Sequence, residues 1–145
     1  MHRWIALAGA IVLAGCGIQN TVVDTGRIRE VTEAHFGSPR LPIEIGPIVI
    51  SGDHAIADWT QGDFGGRALF ERGTYGWSLM LCSGDSIRRA ENLRRAGVPD
   101  FNAGRIADRL AAAEATLRPE RLARMKRFVG TAADHERYLK TLGGK

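Results

Sequence analysis

From residue 41 onward, short apolar runs are separated by glycine-rich breaks, and within each run the spacing has a period of two. Residues 41–50 (LPIEIGPIVI) put Ile43 and Ile45 on one side and then run apolar through Ile48, Val49 and Ile50. Pro42 and Pro47 cannot donate to a ladder, so this segment predicts an edge or bulged strand. Ser51-Gly52-Asp53 predicts a turn. Residues 54–60 (HAIADWT) alternate, with Ala55, Ala57 and Trp59 on one face and His54, Ile56 and Asp58 on the other. Residues 61–66 (QGDFGG) read as a glycine-rich hairpin loop, and 67–72 as the third strand. After a turn at Gly73-Thr74, residues 75–82 (YGWSLMLC) predict a fourth strand. Strict alternation there puts Tyr75, Trp77, Leu79 and Leu81 on a core face and Gly76, Ser78, Met80 and Cys82 opposite.

Either side of this meander the period becomes helical. Ile28, Val31 and Phe36 define a short helix over 27–36, with His35 near its end. Beyond the strands, Asp85 stands as an N-cap for a helix over 86–96 that Gly97 stops. A second helix is predicted over 100–117 on the stripe Ile106, Leu110, Ala113 and Leu117. Pro119 opens a third, with Leu122, Met125 and Phe128 on one face. Strands first and helices afterwards predict an α+β fold: an N-terminal helix, a four-stranded antiparallel meander, and two to three C-terminal helices packed on one face. A roll of the cystatin or nuclear-transport-factor type is the nearest architectural analogy.

The chain of 145 residues is long enough for one domain. Its first residues change the picture of where that domain works. A basic start at Arg3 and the apolar run WIALAGAIVL lead into Leu13-Ala14-Gly15-Cys16. The run is too short to span a bilayer, which takes about 20 residues, and has the form of a secretory signal. Its ending resembles a bacterial lipoprotein signal, which implies cleavage after residue 15 and acyl chains, palmitate among them, on Cys16. The expected organisation is a signal peptide at 1–15, a polar tether at 16–26, one domain at 27–130 and a flexible basic tail at 131–145. Gly17, where an inner-membrane lipoprotein often has Asp, leans towards the outer membrane.

The formal charge of +4 falls to +3 without Arg3. The arginines lie at helical spacings, which reads as solvated helix faces and not as a nucleic-acid footprint. With Cys16 lipidated, Cys82 is a lone thiol in the periplasm.

No CxxC, HExxH, phosphate-loop or G-x-S-x-G pattern occurs. Met80 and Cys82, predicted on one strand face, are soft ligands of the kind copper(I) takes. With His54 they are the residues to nominate for copper, the one cofactor this chemistry suggests. The competing reading makes both core fillers. For an enzyme, the candidates are His54, Asp58 and Asp63. His54 and Asp58 lie about 13 Å apart along one strand, so neither can serve the other directly. Asp53, Asp63 and Asp85 each follow a glycine and are explained by turns and a cap.

The series GDHAIADWTQGDFGGRAL (52–69), Gly76-Trp77, LCSGD (81–85) and AGVP (96–99) resembles the bacterial copper uptake system-associated proteins. A weaker likeness continues through LRPERLARMKRFVG (117–130). With the Cys16 signal, the expectation is a lipid-anchored periplasmic accessory protein of copper uptake that binds copper or a copper transport protein and does no catalysis; the lipoprotein-type start and the longer basic tail depart from the family. The resemblance itself implies the association with copper uptake and no mechanism. It supplies no catalytic residues. The alternatives are a roll-fold enzyme using His54, Asp58 and Asp63, and a structural or inhibitory envelope lipoprotein.

Overall fold

A computed structural model describes residues 16–128, with side chains from Asn20 onward. The expected signal peptide and basic tail lie outside the described residues. Helix α1 (Cys16–Phe36) is followed by strands β1 (Ile43–Ser51), β2 (His54–Gln61), β3 (Phe64–Gly73) and β4 (Gly76–Ser83). A 3₁₀ turn (Ser86–Arg88) then leads to α2 (Ala90–Arg95), α3 (Asp100–Glu114) and α4 (Pro119–Met125). The four strands pair in sequence order, all antiparallel. The α+β fold and its antiparallel meander are therefore as the periodicity predicts.

β2 is buried along its whole length because helices cover both sheet faces. Ile28 and Phe36 of α1 join Ala55, Ala57, Trp59, Ala68 and Phe70 in one apolar cluster. Ile56 and Leu69 point the other way, into Leu93, Val98, Ile106 and Leu110 from the α2–α3 side. α1 thus fills the Trp59 face of the sheet. α2 and α3 share the opposite face, but Phe128, just past α4, belongs to the α1 side, edge-on to Trp59 at 5.9 Å. α4 itself packs on the α2–α3 face, where Arg121 donates to Thr60 Oγ1 and Met125 lies against Gly65, so the C-terminal helices share one face as expected and Phe128 alone turns to the other side.

Local rules misplace several boundaries. The segment expected as a tether is helical, and α1 begins eleven residues before the predicted start at Arg27. Asp24 docks it, accepting from Trp77 Nε1 at 3.0 Å and from Arg72 Nη1 at 2.9 Å. Both partners lie far along the chain, beyond the reach of a local pattern. The loop expected over 61–66 is only the turn Gly62-Asp63, and β3 starts at Phe64. Gly65 and Gly66 are strand residues: a Cβ on Gly65 would lie 2.6 Å from the Trp59 carbonyl oxygen, and one on Gly66 3.1 Å from Phe128. These glycines let the segment around α4 close onto the sheet.

In β1, Pro47 follows a cis peptide bond within a bulge between Ile45 and Ile48, on the sheet edge, as its prolines predict. A second bulge changes more. Leu69 pairs with Leu81 and Phe70 with Leu79, so Met80 is an extra residue in β4. An inserted residue reverses the facing of the residues beyond it. Trp77, Leu79 and Cys82 therefore pack on the α1 side, while Met80 and Leu81 pack on the α2–α3 side. The expected row Tyr75, Trp77, Leu79, Leu81 is broken, and Tyr75 is fully exposed in the turn.

Candidate functional site

The ionisable residues collect in two places: a sealed group around Arg67 and an open cleft between α1, β1 and α3. Arg67 lies on β3 opposite Asp58 of β2 and is completely buried. Its Nε donates to Glu114 Oε1 of α3 at 2.6 Å. Its Nη1 donates to the Gly84 carbonyl and to Asp85 Oδ1, each at 3.1 Å. Arg88 Nε stands 2.8 Å from the other Glu114 oxygen. Burial opposes the Arg67 charge, but the hydrogen bond and charge of Glu114, with Asp58 and Asp85, outweigh it and raise its pKa. Asp85, expected as an N-cap, makes no side-chain cap bond and serves Arg67 instead.

Asp58 behaves differently. Its carboxyl is completely buried and neither oxygen has a hydrogen-bond partner. Burial first, and then the nearby Glu114 charge, push its pKa up to about 8 against the pull of Arg67 and Arg121. The shift favours its protonated, neutral form. With Asp58 neutral, Arg67 and Arg88 balance Asp85 and Glu114. The group joins β2, β3, the turn after β4 and α3, but its Asp58, Arg67 and Glu114 have no path to a substrate. It is a structural lock.

The nominated copper ligands are not brought together. The Met80 bulge sends Met80 and Cys82 to opposite sheet faces. His54 sits at the start of β2, buried, with Nε2 3.9 Å from Glu71 Oε1. Cys82 is partly buried, and its sulfur accepts from Trp59 Nε1 at 3.3 Å. Burial outweighs that bond and pushes its thiol up to about 12, so it is a poor source of thiolate. Among the described residues no group of three His, Cys, Asp or Glu could hold a metal ion.

The enzyme candidates are also separated. Asp63 lies in the β2–β3 turn, and His54 starts β2 at the other end of the strand, about 25 Å away by strand rise. Asp58 is locked inside. Cys16 begins α1, and its side chain lies outside the described residues.

The cleft has a volume of about 630 Å³ and is framed by Asn20 and Asp24 of α1, Ser51 at the end of β1, and Asn102, Arg105 and Arg109 of α3. Ser51 Oγ donates to Asn102 Oδ1 at 2.9 Å, which fixes the start of α3 against the sheet. Arg72 also lines it but is neutralised by Asp24 and Asp53, at 2.9 and 3.0 Å. Arg109 donates only to the Ile50 carbonyl, at 2.7 Å. The Arg105 guanidinium lies 5.3 Å from the Phe101 ring. Neither of these two makes an ion pair among the described residues. The cleft therefore offers two guanidinium charges, with amide and hydroxyl groups beside them, to an anion. Phe101, Arg105 and Arg109 recur every four residues along α3, a sign that the reading of these arginines as plain solvated faces passed over. Glu114, four residues after Leu110 on an apolar stripe, was the corresponding sign of the buried lock.

Comparison with protein-family models, with curated proteins and with solved structures finds no match to this chain.

Proposed function

We propose that this chain is a lipid-anchored periplasmic accessory protein of copper uptake that acts by binding an anionic partner in the cleft, not by catalysis and not as a copper ligand. The compartment and the copper association rest on the Leu13–Cys16 sequence and on the resemblance carried by residues 52–85. The binding mode rests on one observation: Arg105 and Arg109 stand in an open cleft with no ion-pair partner among the described residues, while the carboxylates of the core are sealed around Arg67. A general acid or base needs a titratable group within reach of substrate. The cleft's one carboxylate, Asp24, already pairs with Arg72 and Trp77.

Cellular copper accumulation tests this. Deleting the protein lowers uptake, and the wild-type chain restores it. Cys82→Ala, Met80→Leu and His54→Gln restore it as well, whereas Arg105→Glu with Arg109→Glu does not. Restoration by the arginine variant together with failure of Cys82→Ala and Met80→Leu would return the function to direct copper ligation.

A further inference from the structure

α1 starts at one end of the sheet, and that end differs from the rest of the surface. Asp24 reaches Arg72 at the close of β3, and Arg72 in turn binds Asp53 in the β1–β2 turn. Asn102 holds the first turn of α3 to Ser51 at the same end. The large apolar side chains exposed among the described residues are Val22, Val23, Tyr75 and Phe101. All four belong to these same elements: α1, the β3–β4 turn and the first turn of α3. The cleft with Arg105 and Arg109 opens among them. Six residues before Val22, about 9 Å of helix, stands Cys16, and the apolar run Trp4–Leu13 precedes it.

The opposite end is built otherwise. There Arg121 pairs with Glu44 and Lys126 stands near Asp85, while Arg124 and Arg127 donate to the Gly62 and Asp63 carbonyls as Arg109 does to Ile50; what sets the ends apart is the exposed apolar surface. None of the exposed large apolar residues is there.

We infer that the α1-start end is a membrane-docking surface, and that the cleft takes the phosphates of anionic phospholipids. This deepens the binding reading above and rests on it. Aromatic side chains with an apolar body suit the headgroup boundary, and Phe101 beneath the Arg105 guanidinium pairs an apolar insert with a phosphate-binding head. Arginine forks match phosphate oxygens in two-point geometry. The apolar segment before Cys16, or acyl chains on Cys16, would bring the bilayer to this end, so the docking requires no second attraction from solution.

The test uses the full chain, purified in detergent and reconstituted into vesicles of phosphatidylcholine alone or mixed with phosphatidylglycerol, read by amide hydrogen exchange. Docking protects residues 20–25, 73–76 and 100–106 in the mixed vesicles over phosphatidylcholine alone, with exchange slowed roughly tenfold or more. Arg105→Glu with Arg109→Glu abolishes the difference. Arg105→Lys with Arg109→Lys retains part of it, and circular dichroism checks that both variants fold. Equal protection in both lipids, or protection around 62–63 and 121–127 instead, overturns the proposal. So does protection reproduced in detergent by glycerol phosphate alone, which would make the cleft a site for a free small anion. Failure of the binding reading shows separately: copper uptake would survive the arginine reversals while the vesicle protection is still lost.

Discussion

Arg67 and the pair Arg105 and Arg109 carry the same guanidinium into opposite settings. Arg67 is surrounded by Glu114, Asp85 and the Gly84 carbonyl, and a neutral Asp58 stands 3.8 Å from its Nε. Its charge is matched inside the protein, and the match joins two strands to a helix far along the chain. Arg105 and Arg109 meet one aromatic ring and one carbonyl, at the mouth of a cleft. Burying a guanidinium is tolerable when its charge is paired, as that of Arg67 is even with its Nη2 left without a hydrogen bond, whereas an exposed one can wait for its partner. The difference separates arginine that builds the fold from arginine that is left for a ligand, and the number of basic residues alone would not have separated them.

The comparison breaks most visibly at Arg67. Arg67→Ala leaves Glu114 buried with only the half-exposed Arg88 beside it, and should cost about 3–5 kcal/mol, the range for removing one partner of a buried ion pair. Urea denaturation of the full chain measures it, and a loss below about 1 kcal/mol would mean the group is not the lock described. Arg105→Glu with Arg109→Glu should leave folding stability within about 1 kcal/mol while removing anionic-vesicle docking. A large loss of stability would place these arginines with Arg67.

Asp58 gives a pH test of the same contrast. Its folded pKa, about 8, lies above the ordinary carboxylate value of 3.8, so the folded state holds a proton that the unfolded state releases. The Asp58 contribution is fully present below about pH 4, declines as pH rises, and is lost above about pH 8. Asp58→Asn keeps the shape without the titration, so stability should fall less between those limits, and the variant should gain on the wild type at alkaline pH. Melting temperatures across the range decide it; parallel profiles for both proteins would refute a raised Asp58. The smallest effect belongs to Cys82. With its thiol pushed up to about 12, iodoacetamide at mild alkaline pH should label Cys82 slowly in the folded chain and fast after unfolding, as read by peptide mass spectrometry. Equal rates would put the thiolate within reach and reopen Cys82 as a ligand.

Where sequence reading failed, the failures have one physical form. The four strands, the turn at Gly52-Asp53 and Pro119 at the start of α4 follow from period and turn chemistry, while the turn at Gly62-Asp63 is shorter than the expected loop over 61–66 and the one at Thr74-Tyr75 lies one residue beyond the expected Gly73-Thr74. Such preferences act within a few residues. Asp85 looked like a cap because a glycine precedes it and a helical period comes next, yet Arg67, 18 residues earlier, takes its carboxylate. The tether looked polar and loose because Trp77 and Arg72, which dock Asp24, lie 53 and 48 residues away. Of the candidate site, the residue types could be read and their meeting could not.

The bulge at Met80 draws the line most clearly. Alternation alone placed Met80 and Cys82 on one face and made them a soft-ligand pair. One unpaired residue in β4 sends them to opposite sides of the sheet. Local backbone preference is enough to say that 76–83 is a strand and that both faces carry apolar residues. Which face each residue takes depends on its register against β3 and on helices from both ends of the chain packing over the sheet. Those contacts are long-range, so the architecture was present in the order of residues, while the ligand pair, the charge lock and the cleft were decided only when the chain closed.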